Sequence, residues 1–80
     1  MTTHHLKSWP EYFKAIAHDL KTFDLRKDDR NYQPGDIVVF EEFRPGTGEY
    51  TGATATRRVV YILKEFHGLQ PGYCILGLVA

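Results

Sequence analysis

Apolar residues change their spacing once along the chain, near Lys21. Before that point Tyr12, Phe13, Ile16, Ala17 and Leu20 recur three or four residues apart, the spacing that lines one face of a helix. Ser8 and Glu11, three residues apart, read as a capping box, and Pro10 falls in the first turn, where its missing N–H is not needed. The pattern predicts a helix over "SWPEYFKAIAHDL", with a short first strand, "HHLK" at residues 4–7, ahead of it. From Lys21 the period is two. Phe23 and Leu25 alternate with Thr22, Asp24 and Arg26, as in a half-buried strand whose apolar face packs inward.

"KDDRNYQPGD" reads as a loop in which Pro34-Gly35 turns the chain into an apolar strand, "DIVVFEEF", at residues 36–43. "RPGTGEYTG" is a hairpin tip, "ATATRRVVYIL" at 53–63 a long β-branched strand, and "GLQPGYCILGLV" a turn and a closing strand. The two "QPG" turns, at 33–35 and 70–72, each launch an apolar strand; their flanks differ, so they share turn chemistry without being a repeat. One helix after the first strand, then several strands with short connections, is an α+β arrangement: a small curled sheet or barrel plugged by the helix. No linker interrupts residues 1–80, which read as a single domain with one small core.

Composition narrows the function. Ten basic residues balance ten acidic ones. Coating long duplexes requires many phosphate contacts and a basic surface, so that role is excluded, whereas a pocket for one nucleotide or a short single strand needs only local charge. No apolar run approaches the roughly 18 residues of a membrane helix, and "MTTHHLKSWPEY" lacks the apolar core of a signal peptide. The expected location is the cytoplasm. The single cysteine, Cys74 in "YCILGLV", fits a reducing compartment and reads as a buried, inert thiol. His4 and His5 would point to opposite faces of a strand, and no pair among His4, His5, His18, His67 and Cys74 has ligand spacing. Neither a metal nor another cofactor is expected.

The densest charge lies in "LKTFDLRKDDR", Leu20 to Arg30, which combines four basic and three acidic residues. Asp24 and Arg26 are two apart on a strand and leave the same face. An ion pair on a solvated edge accounts for them, and so does a binding cleft.

The run Asp19-Leu20-Lys21-Thr22-Phe23-Asp24-Leu25-Arg26 resembles the signature G-x-K-x-x-E-x-R of the ASCH domain of the PUA-like superfamily. Lys21 and Arg26 match; Asp24 stands for Glu and Asp19 for Gly. His4, Leu6, Lys7, Pro10, Glu11, Tyr12 and Phe13, with "KTFDLRKDDR" and "GDI", are similar to a bacterial and phage branch of that family, from about residue 4 to residue 79. The resemblance implies a PUA-like β-barrel of about five to six strands with one main helix, and a cleft between helix and barrel associated with RNA or nucleotide recognition. It also raises an enzymatic alternative. One family member is an acetylcytidine amidohydrolase whose proposed site uses the signature lysine, a threonine where Asp24 stands here, and a distant glutamate with no evident counterpart in this chain.

The expected site therefore comprises His4, Lys7, Lys21, Asp24, Arg26, Lys27, Arg30 and Tyr32. Arg26 offers planar, bidentate donors for a phosphate or a base edge. Lys21 is a point charge for a phosphate or, in the amidohydrolase reading, a general base beside Asp24. Asp24 can accept from an exocyclic amine or orient the two cations. Lys27 and Arg30 would extend a basic rim, and His4 and Lys7 would line the cleft from the first strand. Tyr32 lies in a polar loop where burial is least expected, which makes it a stacking candidate beside Trp9, Tyr12, Tyr61 and Tyr73. A protein-interaction domain pairing through an exposed edge strand is a third reading.

Overall fold

The computed structural model describes the whole chain, Met1–Ala80, and is dominated by sheet: 52% of residues are in strands and 10% in helix. Strand β1 (Thr3–Ser8) leads into α1 (Pro10–Ala17), followed by β2 (Phe23–Lys27), β3 (Ile37–Arg44), β4 (Glu49–Lys64) and β5 (Tyr73–Val79). All five strands form one sheet in the order β1-β3-β4-β5-β2. β1 runs parallel to β3, with Leu6 beside Phe40; the other pairings are antiparallel.

The expectation of an α+β protein built as a closed PUA-like barrel is overturned. The fold is mostly β, a curled half-barrel whose edge strands β1 and β2 are not paired with each other. Closure requires backbone hydrogen bonds all the way round. Here the last gap is spanned by side chains: Arg26 Nη2 donates to the Lys7 carbonyl at 2.6 Å, and Arg30 Nη1 to the His5 carbonyl at 3.1 Å. Each arginine of the β2 side thus satisfies an outward carbonyl of β1, which would otherwise lie unpaired on a sheet edge.

The helix is shorter than its apolar spacing predicts, and its apolar stripe is only partly used. Phe13 and Ile16 are buried, whereas Tyr12 and Leu20 face outward. Past His18 the chain enters the left-handed region at Asp19 (φ 58°), and the Leu20 and Lys21 amides both return to the Ala15 carbonyl. This C-terminal turn ends the helix before Leu20. One contiguous core of eleven residues, including Leu6, Phe13, Ile16, Val38, Phe40, Val59, Cys74 and Leu76, lies between the sheet's concave face and the helix. Cys74 is buried as expected, and burial pushes its thiol above the ordinary value. No helix is long and apolar enough to cross a membrane.

Candidate binding cleft

The end of β1, the start of α1 and the edge strand β2 enclose a cavity of about 440 Å³. Its floor comes from the inner face of β2, which is the polar one. In the register with β5, Asp24 lies opposite Leu76 and Arg26 opposite Cys74, so both share the core-facing side; Phe23 lies opposite Gly77 and Leu25 opposite Ile75, on the outer side. Asp24 is 6% exposed, while Phe23 is 52% exposed and Leu25 is likewise outside. The alternation is the expected one, but its faces are reversed: the strand buries its charges and displays its apolar residues.

A buried carboxylate is tolerated only when it is paired and hydrogen-bonded. Lys21 Nζ donates to Asp24 Oδ1 at 2.7 Å, and Arg26 Nε donates to Oδ2. The same guanidinium reaches Lys7 on β1, so Asp24 and Arg26 together join the two sheet edges beneath the cleft. Two cations for one carboxylate leave the cluster with an excess of one positive charge.

Two aromatic rings stand by Lys21, and a third stacks on one of them. The Lys21 ammonium lies 5.3 Å from the Phe23 ring centroid and 6.0 Å from that of Tyr12, and Trp9 stacks on Tyr12 with centroids 6.3 Å apart. Trp9 and Tyr12 are 51% and 48% exposed. Large aromatics usually bury their area, so three displayed together form a surface suited to a planar, electron-rich partner. Ser8 also borders the cavity.

The other expected site residues divide. Lys7 borders the cleft, with its ammonium over the Phe43 ring at 4.6 Å. Lys27 shares the outer face of β2 with Phe23 and Leu25, away from the Asp24 cluster. Arg30 is outside the cavity, donating to His5. His4 and Tyr32 belong to a different cluster. His4 Nε2 lies 2.8 Å from Asp36 Oδ2, and Asp36 also accepts from the Thr2 amide at 3.1 Å and the Gln33 amide at 3.0 Å. Tyr32 packs against the His4 ring, with centroids 4.7 Å apart, and is only 2% exposed. The loop that holds it is polar, yet its aromatic ring folds inward because β1 offers a buried partner. The His4 hydrogen bond, helped by the two amides, holds the Asp36 carboxyl below its ordinary value despite burial; burial pushes the Tyr32 phenol up.

Trp9 and Tyr12, two of the stacking candidates, line the cavity, and Phe23, which the sequence pattern does not offer as one, lines it as well. The period-two pattern places Phe23 in a core, and only the reversed face of β2 brings it to the cavity's lip. No cluster of three or more His, Cys, Asp or Glu side chains is arranged to hold a metal ion.

Comparison with known proteins adds a family but no activity. The family model described as "Domain of unknown function (DUF3850)" matches residues 3–78, which takes in the whole cleft and all of the sheet but Val79, the last residue of β5. An "Uncharacterized 12.9 kDa protein in GpA 3'region" of Escherichia phage P2 is 32% identical over 56 residues, 70% of this chain and 50% of that protein. The chain thus spans about half the length of the curated relative it matches.

Proposed function

The chain belongs to the DUF3850 family of domains of unknown function, and we propose that it binds RNA or a nucleotide in the cleft between α1 and β2, with a base stacked on the aromatic wall beside Lys21. The observation that carries this reading is the exposure of Tyr12 and Phe23 beside the Lys21 ammonium, with Trp9 stacked on Tyr12 in the same cavity. Stacking of a base on such a ring contributes about 1–3 kcal/mol and tolerates any base, because every base has a π-face. The resemblance of Lys21–Arg26 to the ASCH signature supports the same assignment.

Lys21 supplies local positive charge, and Arg26 holds the floor. The chain's zero net charge makes affinity depend on the cleft rather than on a broad basic surface. The amidohydrolase alternative gains nothing from the geometry. A Lys21 ammonium donating to Asp24 has no lone pair to offer as a base, and the Asp24 oxygens are both engaged.

Trp9 is the only tryptophan, so its fluorescence reports on the cleft alone. Titration with nucleoside monophosphates and short single-stranded RNA is expected to quench it saturably, with Lys21→Met and Tyr12→Ala weakening the response. Emission unchanged at millimolar ligand would defeat the binding reading. Rapid release of cytidine from acetylcytidine, abolished in Lys21→Ala, would put the enzyme in its place.

A further inference from the structure

The cavity is lined by three cations, Lys7, Lys21 and Arg26. Lys21 and Arg26 are both engaged by Asp24. Lys7 differs. Its ammonium takes part in no ion pair, because Glu41, its neighbour across the β1–β3 ladder, lies instead with Oε2 3.6 Å from His5 Nδ1. An exposed ammonium on the rim of the cleft, with no carboxylate to neutralise it, is free to meet an anion.

A second aromatic pair stands at this ammonium. Lys7 Nζ lies 4.6 Å from the Phe43 ring centroid, and the Tyr50 ring meets Phe43 edge to face with centroids 5.0 Å apart. Phe43 and Tyr50 are cross-strand partners near the β3–β4 hairpin tip, just past a register shift between Glu41 and Phe43. Such an irregularity re-aims side chains relative to the regular ladder. Tyr50 is 53% exposed, Phe43 is half-buried, and neither belongs to the hydrophobic core. Lys7 therefore borders two aromatic surfaces: the cavity of Trp9, Tyr12 and Phe23 through its place in the lining, and the Phe43–Tyr50 pair through its ammonium.

We propose that Phe43 and Tyr50 form a second stacking station, so that the ligand is a single strand of at least two nucleotides with its linking phosphate at Lys7. The inference deepens, and rests on, the reading of the cleft as an RNA or nucleotide site. A base lies on an aromatic ring only when it is free of a duplex stack, so two stations select unpaired neighbouring bases. The diester between two bases carries one negative charge, and Lys7 is the cation of the lining whose charge is unmatched. Aromatic rings accept every base, so the selection is for strandedness and length rather than for sequence.

The test compares a ribodinucleoside monophosphate with the two nucleoside monophosphates that compose it. By calorimetry the dinucleotide should bind about tenfold more tightly than either. Tyr50→Ala should bring it down to the affinity of the mononucleotides, while Tyr50→Phe, which keeps a ring, should retain the advantage. Lys7→Met should weaken dinucleotide binding several-fold, and it keeps the backbone carbonyl that accepts from Arg26. The Tyr50 ring resonances of the wild-type protein give a readout that depends on no variant folding: they should shift as dinucleotide is added and saturate together with the quenching of Trp9. Equal binding of dinucleotide and mononucleotide, with Trp9 quenched and Tyr50 unmoved, overturns the second station and leaves the stacking site beside Lys21 in place. Saturation of Tyr50 and Trp9 at different concentrations means two separate sites and overturns the span. If neither Tyr50 nor Trp9 responds to any nucleotide, the span and the binding reading fall together.

Discussion

Two buried aspartates, Asp24 and Asp36, organise this protein in different ways. Asp36 is surrounded by two backbone amides and a histidine, is itself buried, and its histidine packs against the buried Tyr32 ring, so its surroundings are closed. Asp24 is held by two full cations and lies at the floor of an open cavity ringed by aromatics. The first arrangement fixes the N-terminal strand to the loop before β3. The second leaves one positive charge in excess beside exposed rings, which is the condition for receiving a ligand. Burial of an acid therefore does not by itself distinguish a structural lock from a site; the difference lies in whether donors exceed the acid's needs and whether the cluster faces open space.

The largest effect is expected at the lock. Asp36→Ala strands three donors in a buried setting and should destabilise the fold by about 3 kcal/mol, lowering the melting temperature by about 12–24 °C for a domain of this size. Nucleotide affinity of the folded fraction should be unchanged; a loss there would merge the two regions into one site. Arg26→Ala comes next, because Arg26 serves both the Asp24 cluster and the seam to Lys7. Loss of about 2 kcal/mol of stability is expected, with about tenfold weaker binding measured on folded protein. If melting falls and affinity does not, Arg26 is a seam residue alone.

Trp9→Ala should separate the regions most cleanly. The ring is half exposed, so thermal denaturation should move by no more than a few degrees, while calorimetry should show about tenfold weaker nucleotide binding. Acid sharpens the comparison in the other direction. The folded-state pKa of Asp36 is depressed, so its stabilisation is present above the ordinary carboxylate value of about 3.9 and is lost as pH falls through the lower, folded-state value. The acid limb of the stability curve should flatten in Asp36→Asn. The smallest effect concerns salt: with so few cations at the cleft, the log–log slope for single-stranded RNA should be about −0.7 per phosphate neutralised. A slope steeper than about −4 would place binding on a wider surface than this cavity.

Much of the architecture was legible in the residues. The change from helical to alternating spacing near Lys21, the "QPG" turns and the β-branched run at 53–63 locate all the elements, although β4 extends to Glu49 and the helix stops at Ala17. Of the expected site residues, Lys7, Lys21, Asp24 and Arg26 share the lining of one cavity. His4 and Tyr32 could not be separated from that group in sequence, since a histidine on a strand and a tyrosine in a polar loop carry no mark of the aspartate that binds the first and the histidine ring that covers its face.

The amino-acid order by itself determined the elements, their turns and the two-sided character of β2. Only the tertiary structure decided which side of β2 faces inward and whether the sheet closes. Alternation defines two faces but cannot rank them when one is apolar and the other can neutralise itself. Lys21 and Arg26 both pair with Asp24, and Arg26 finds a further acceptor on Lys7, 19 residues away. With these partners in place the charged face can be buried, Phe23 and Leu25 are turned out, and arginine side chains occupy the gap where strand pairing would have made a barrel.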